Sequence, residues 1–144
     1  MITEDYVSFE TAKLLKENGF PQEYDIYHSM VYNEEDYEDE YEVQRMVIET
    51  RLVKAGTLSS YPVGVPDPKC YCPTLQMAMK WLRKHSWVVC VIPLTFYCGE
   101  VVSEWGYNIW ADDNLEINED NTPKFKTYEE ACEAAIRYCL KKLI

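Results

Sequence analysis

Lysine and arginine are missing from two long intervals of this sequence. None occurs between Lys16 and Arg45, where ten acids stand, and none between Lys84 and Lys124, where seven more stand. The net charge of the 144 residues is -11. Because affinity for DNA or RNA depends largely on basic side chains that neutralise phosphates, direct nucleic-acid binding is not expected.

Long apolar runs are also missing. The longest one, Trp87 to Ile92 continued by Leu94 and Phe96, falls well short of the roughly 20 residues that span a bilayer, so no membrane association is predicted. The acidic start, residues 1–6, lacks the basic and apolar segments of a secretory signal. We therefore expect a cytoplasmic protein whose six cysteines are thiols.

Catalytic signatures are scarce as well. His28 and His85 are the only histidines, and neither stands in a nucleophile motif. The sequence has no Gly-x-Ser-x-Gly, no phosphate-binding glycine loop and no paired-histidine metal motif. No catalytic residue and no cofactor is predicted, and the sequence favours a protein that is not an enzyme.

A zinc site is the metal hypothesis that the cysteines raise. Cys70 and Cys72 stand beside a proline-rich segment, and Cys90, Cys98 or His85 would have to complete the four ligands. Structural zinc sites usually show two closely spaced ligand pairs, whereas the other cysteines stand singly in predicted strands and helices. Buried or loop thiols are therefore the favoured interpretation, and no metal site is predicted.

What the sequence does contain is apolar material for a core, 47% of its residues. A chain of this size predicts one domain, residues 1–144, with a proline-rich surface loop at 57–73. Three amphipathic helices are predicted at residues 8–18, 73–85 and 127–143, the first begun by Ser8 and the last by a capping box at Thr127.

Alternating side chains predict strands at residues 24–32 and 104–111. The apolar run 87–92 predicts a strand buried on both faces, central in the sheet and antiparallel to 104–111, and residues 112–123 are interpreted as an acidic loop. Residues 34–55 fit either a helix or a strand. The fold class predicted is α+β, a small antiparallel sheet of three or four strands covered by three or four helices.

Two surfaces are candidates for function. An acidic, tyrosine-rich segment offers a negative surface to a basic protein partner, although a solvated helix face also explains it; its residues are Glu34, Glu35, Asp36, Tyr37, Glu38, Asp39, Glu40 and Tyr41. Aromatic side chains beside a carboxylate occur in sugar or cation sites, and the ligand candidates are Trp105, Tyr107, Trp110 and Asp112. Cross-strand packing in the core is the competing interpretation of these aromatics.

Three segments, residues 8–20, 72–85 and 127–136, carry a resemblance to a family. The middle one, with Pro-Thr followed by Lys-Trp-Leu-Arg, is the most distinctive, and the last carries Tyr-Glu-Glu-Ala. Together they resemble a group of small uncharacterised proteins of gut Bacteroidales, their phages and mobile elements, for which no activity is known. The resemblance implies a bacterial or phage cytosolic setting and an accessory role.

The function expected is thus that of a non-enzymatic acidic accessory protein that binds another protein, encoded by a phage or mobile element. The alternative is a small-ligand-binding domain or weak enzyme that uses the aromatic strand and its adjacent carboxylates. Self-association stays open, because wide apolar stripes on short helices fit burial against the sheet or against a second copy, as a homodimer.

Overall fold

The computed structural model describes residues 4–25, 27–33, 52–57, 69–94 and 104–143. The chain divides into two compact units: the N-terminal unit is Ser8–Pro73, and the C-terminal unit combines Met1–Val7 with Thr74–Ile144. The described residues form one three-stranded antiparallel sheet in each unit and three α-helices in all. The α+β class is confirmed, with two small sheets where the sequence predicts one. The single domain of 1–144 stays a prediction.

The N-terminal unit begins with helix α1, Phe9–Glu17, which the sequence predicts correctly. The side chain of Ser8 caps its first turn. The helix ends where Gly19 takes a left-handed conformation, with φ of 92°, and the N–H of Phe20 donates to the carbonyl of Leu15 at 2.9 Å. This pair of features is the glycine-terminated end that is common among α-helices.

The sheet of the N-terminal unit has β1, Met30–Asn33, at its centre. Strands β2, Val53–Lys54, and β3, Lys69–Cys72, pair antiparallel on its two sides. Helix α1 packs against β3. The rings of Phe9 and Tyr32 meet edge to face with centroids 5.6 Å apart, which joins the helix to the central strand.

The strand predicted at 24–32 is wrong over most of its length, because β1 begins only at Met30. A turn occupies the preceding residues: the N–H of Ser29 donates to the carbonyl of Asp25 at 2.8 Å, and Asp25 Oδ1 accepts from the N–H of Tyr27 at 2.7 Å. A short acidic side chain that bonds its own backbone offers an alternative to a strand ladder. Alternation in the sequence does not reveal that competition.

The surface loop predicted at 57–73 is wrong at its end, where β3 lies in the core. Cys70 and Cys72 are fully buried, because β3 pairs with β1 on one edge. On the other edge the N–H of Tyr71 donates to Gln22 Oε1 at 3.0 Å. Residues 58–68 of that loop lie outside the described residues. So do residues 34–51 of the undecided element 34–55, whose described end is β2 and a 3₁₀ turn at Ala55–Thr57.

The C-terminal unit contains helices α2, Leu75–Lys84, and α3, Tyr128–Tyr138, which continues as a π-helix over Cys139–Leu143. Each helix buries one face, and the buried residues of the two faces are Leu75, Ala78, Met79, Leu82, Ala131, Cys132, Ala135, Ile136, Cys139 and Leu140. Pro73 does not open α2 as the sequence predicts: Thr74 is the cap, and its hydroxyl accepts from the N–H of Met77 at 3.2 Å. Among the described residues, no helix is both long enough and apolar enough to cross a membrane.

The sheet of the C-terminal unit has the order β4-β5-β6, with β4 at Trp87–Pro93, β5 at Trp105–Ala111 and β6 at Asn114–Ile117. The antiparallel pairing of the first two strands is confirmed. The central position and the burial on both faces that the sequence predicts for β4 are wrong. Val88 is exposed, and in the described part of the chain β4 pairs only with β5. The segment 112–123, which the sequence predicts to be a loop, contains β6. β5 is therefore the central strand.

Candidate functional site

The hairpin between β5 and β6 turns in two residues, Asp112 and Asp113. Their φ angles are 46° and 68°, and the flanking residues Ala111 and Asn114 pair across the hairpin. Positive φ at both central positions is the requirement of the tight turn that matches the twist of a β-hairpin. The turn places two neighbouring, exposed carboxylates at one end of the sheet.

One face of this sheet is covered by helices. Helix α3 packs against β4 and β5, and α2 packs against β4. Tyr107, Ile109 and Ala111 are buried on the covered face. Burial raises the pKa of the Tyr107 phenol, and Tyr138 and Cys139 of the C-terminal helical segment add to the effect.

Side chains alternate between the faces of a strand, so the intervening residues define the opposite face, which we call the open face. It carries Val88, Cys90 and Ile92 of β4, Gly106, Asn108 and Trp110 of β5, and Leu115 of β6. Val88 and Leu115 are the cross-strand partners of Trp110 on its two sides. These three residues, here called the exposed row, are 38%, 43% and 39% exposed for Val88, Leu115 and Trp110 respectively.

A concavity of about 440 Å³ lies beside the exposed row, at the end of the sheet that carries the hairpin turn. It is lined by Ser86, Val88, Trp110, Asp112 and Asp113. The N–H of Asp112 donates to the carbonyl of Ser86 at 3.4 Å, which ties the hairpin turn to the connection between α2 and β4. An indole and two carboxylates therefore share one open depression.

The other end of the open face is filled by its own side chains. A Cβ placed on Gly106 would lie 2.9 Å from Cδ1 of Leu94, so the leucine occupies the space above the glycine. Between the two ends, Asn108 Oδ1 accepts from the N–H of Glu119 at 2.8 Å and holds the 3₁₀ turn Glu119–Asn121 against the sheet. The exposed apolar surface is thus concentrated at the exposed row.

The structure divides the predicted ligand candidates into two pairs. Trp105 and Tyr107 lie on the covered face: Trp105 meets Tyr128 edge to face at 5.4 Å, and Tyr107 stacks on Phe125 at 6.0 Å. Trp110 and Asp112 line the concavity together. The core-packing interpretation holds for Tyr107, which is buried, whereas Trp105 is half-buried. A ligand role for Trp110 and Asp112 stays a prediction.

Sequence reasoning missed Val88 and Leu115 as partners of Trp110. The signal that could have found them is the pair Asp112-Asp113 between two alternating segments, which is a turn signature of a two-residue hairpin. Interpreting it as a turn places Leu115 opposite Trp110. The predicted acidic surface from Glu34 to Tyr41 lies outside the described residues.

The thiols of Cys70, Cys72, Cys132 and Cys139 are buried in the core, whereas Cys90 is half-buried on the open face. Burial raises the pKa of Cys132 from 9.0 to about 11 and that of Cys139 to about 12. The thiols of Cys70 and Cys72 donate to the carbonyls of Tyr71 and Pro73 at 3.9 and 3.8 Å. Within the described ranges, no three side chains from His, Cys, Asp and Glu come together as metal ligands do. Cys98 lies outside those ranges.

The histidines are in two different settings. His28 Nδ1 lies 2.9 Å from Asp25 Oδ2 on the surface, and this hydrogen bond, with that from the N–H of Tyr27, holds the pKa of Asp25 below its usual value. His85 is the C-cap of α2 and packs its ring against Trp81 with centroids 4.5 Å apart. Both histidines are exposed.

Comparison of the chain with protein-family models, with curated proteins and with solved structures found no match. The open face and its concavity are therefore the candidate functional site.

Proposed function

We propose that this chain is a non-enzymatic, acidic accessory protein of the cytoplasm, encoded by a phage or mobile element, that binds another protein through the exposed row of Val88, Trp110 and Leu115. The observation that carries the proposal is the position of Trp110. It stands at the centre of an apolar row on the open face, with 39% of its surface exposed. Leaving a large apolar surface in contact with water is costly, at about 25 cal/mol per Å².

Tryptophan is the residue type most enriched at the centres of protein interfaces. The exposed row also has the composition of such a centre, with an aromatic side chain between two aliphatic ones and polar residues at its edge. Asp112 and Asp113 supply that polar edge. Contiguous apolar patches rimmed by polar residues are typical of interaction sites.

The chemistry of the buried thiols supports a role without catalysis. A cysteine nucleophile acts as its thiolate, which requires a lowered pKa and access to solvent. Cys132 and Cys139 have raised pKa values and are completely buried. At neutral pH both are uncharged, and they serve as small apolar side chains of α3 and the π-helix that follows it.

The acidic composition bears on the choice of partner. Between Lys84 and Lys124 the sequence has seven acids and no base, so the sheet of the C-terminal unit has no basic side chain on any strand. Phosphate groups would be repelled from such a surface, and we expect no direct binding of nucleic acid. A protein partner is favoured instead.

One observation favours a second function, the binding of a small ligand. The concavity of about 440 Å³ that Trp110 and Asp112 line has the size of a small-molecule site, which ranges from about 300 to 1,000 Å³. Because the concavity is open and its lining residues are exposed, it suits a side chain at the surface of a protein partner better than a small ligand that must be enclosed. Photo-crosslinking from position 115 distinguishes a protein partner from a small ligand.

Photo-crosslinking tests the proposal. A benzoylphenylalanine is placed at Leu115 in one variant and at Tyr27, which is 71% exposed in the N-terminal unit, in a matched control. In cytosol of the encoding cell, we expect the Leu115 variant to form an adduct with one protein, and that adduct to disappear when Trp110→Ala is added. The Tyr27 variant should not form it.

Two outcomes contradict the proposal. One is an adduct that persists after Trp110→Ala, since Trp110 would then not hold the partner. The other is the absence of any protein adduct together with a small molecule that native mass spectrometry detects on the wild type and not on Trp110→Ala. That second result would establish the small-ligand function instead.

A further inference from the structure

We infer that the partner presents an arginine to the concavity and an apolar side chain to the rest of the exposed row. This inference rests on the proposed function and names the chemistry of the partner. Its basis is the juxtaposition of the Trp110 indole with the carboxylates of Asp112 and Asp113 in one depression. The apolar face makes the surface a docking site, and the charges select what docks there.

The two acidic residues of the turn are neighbours in sequence and both exposed, so this end of the sheet carries negative charge. The strands of the sheet offer them no counterion: Val88, Trp110 and Leu115 belong to strands without lysine or arginine. Of the cations that flank this sheet in sequence, Lys124 lies 3.6 Å from Glu104, and Arg83 and Lys84 are in the last turn of α2. A cation brought by a partner would be attracted to this negative charge.

Arginine fits this depression better than lysine. A guanidinium stacks flat on an indole while its N–H groups donate sideways to carboxylates, and the tryptophan ring is the strongest cation-binding ring among the side chains. Trp110, Asp112 and Asp113 provide these two kinds of surface together. Charge-assisted hydrogen bonds to the two carboxylates would orient the group.

The dimensions of the exposed row set the size of the partner segment. Neighbouring strands are about 4.8 Å apart, so the row extends for roughly 10 Å across the sheet. An extended peptide advances about 3.4 Å per residue, which places its side chains i and i+2 roughly 7 Å apart on one side. An arginine with a leucine two positions away would cover the concavity and the far side of the row.

A second copy of this chain fits the site less well. A two-fold contact through the open face would bring the Asp112-Asp113 turns of both copies into one interface, and the net charge of each copy is -11. Like charges brought together at an interface oppose association. A basic segment of a different protein carries the opposite charge, so its approach to the same face is favoured.

The test is an NMR titration of the four tryptophan indole N–H signals of the ¹⁵N-labelled full chain. The probe is the peptide acetyl-Leu-Gly-Arg-Gly-Leu-amide, and its control is the same peptide with citrulline, which is neutral and nearly the same shape as arginine. Trp110→Phe assigns the Trp110 signal. We expect the arginine peptide to shift that signal selectively, and the citrulline peptide to bind at least about threefold more weakly.

Variants test the carboxylates. Asp112→Asn with Asp113→Asn should weaken the arginine peptide at least about threefold and leave the citrulline peptide unchanged. The matched control is Glu17→Gln with Glu23→Gln, which makes the same change of charge on exposed residues of the N-terminal unit. The control pair should bind both peptides as the wild type does.

Three results would overturn the inference. Equal affinity for the two peptides would show that charge does not select the partner, and no shift of the Trp110 signal at millimolar peptide would show that the site takes no arginine. A dimer in sedimentation that Trp110→Ala dissociates would assign the face to a second copy. In each of the first two cases, a protein adduct at position 115 that requires Trp110 would leave the proposed function standing.

Discussion

Leu94 fills the space above Gly106, on the open face of the sheet. The leucine follows β4 directly, and its N–H donates to the carbonyl of Glu104 at 2.9 Å. Because a Cβ on Gly106 would lie 2.9 Å from Leu94 Cδ1, the absence of a side chain at position 106 allows the leucine to pack on the strand. The exposed row is what remains uncovered at the other end.

This contact predicts opposite effects of one substitution in two backgrounds. In the wild type, Gly106→Ala should lower the free energy of unfolding by about 1 kcal/mol, because the leucine must move. In a Leu94→Ala background the same change should be neutral or stabilise by about 0.5 kcal/mol, since alanine suits a strand better than glycine. Urea denaturation measures both. Stabilisation by Gly106→Ala in the wild type would show that Leu94 moves freely.

The geometry of the hairpin turn predicts a substitution that raises stability and weakens binding of the arginine peptide. Asp112→Asn with Asp113→Gly supplies the residue pair most favoured where both φ angles are positive, so the unfolding free energy should rise by about 1 kcal/mol. The variant also removes both carboxylates, and it should bind the arginine peptide more weakly than the wild type. Thermal unfolding and the NMR titration are the two measurements. A less stable variant would contradict the turn geometry.

The hydroxyl of Thr127, the N-cap of α3, is expected to stabilise the protein. Thr127 Oγ1 accepts from the N–H of Glu130 at 3.1 Å. Thr127→Ala should cost about 1 kcal/mol of unfolding free energy, whereas Thr127→Ser should cost much less because it keeps the acceptor. Urea denaturation compares the two variants. Equal losses in both would show that the methyl group of the threonine, not the hydroxyl, stabilises the helix.

The buried thiols predict a loss of stability in alkali. Cys132 and Cys139 keep their protons in the folded protein up to pKa values of about 11 and about 12, whereas the unfolded thiols titrate near 9. Above pH 9 the unfolded chain therefore binds fewer protons than the folded one, and the unfolding free energy should fall as pH rises toward 11. Urea denaturation across this range measures the slope.

The control is Cys132→Ala with Cys139→Ala. This variant should be less stable at neutral pH because it loses packing, yet its stability should depend less steeply on alkaline pH. The slope is compared, not the absolute stability, so the packing loss does not obscure the result. Identical slopes in wild type and variant would contradict the assignment of the alkaline loss to these thiols.

The helices were predictable because their signals are local. Ser8 and Thr127 stand at cap positions, and Gly19 stands where a helix must turn left-handed to end. The inward faces of α2 and α3 recur with the period of a helix. Such signals depend on residues within a few positions of one another, so they survive in a single sequence.

Two of the four predicted ligand candidates line the concavity of the candidate site, and two do not. Trp110 and Asp112 were recognised as an aromatic side chain near a carboxylate, and the structure places them in one concavity. Trp105 and Tyr107 carry the same sequence signal, yet they pack under the helices. Alternation separates the two faces of a strand but does not tell which face the helices cover.

By itself, the sequence determined the α+β class, the helix caps at Ser8 and Thr127 and the negative charge around the sheet of the C-terminal unit. Tertiary structure alone decided that the end of a proline-rich segment forms β3 and pairs with β1. It also decided that β4 lies at an edge of its sheet and that Trp110 is exposed. The physical reason is range. Caps and helical periods act over a few residues, whereas strand pairing and the covering of a face depend on contacts between segments that are distant in the chain.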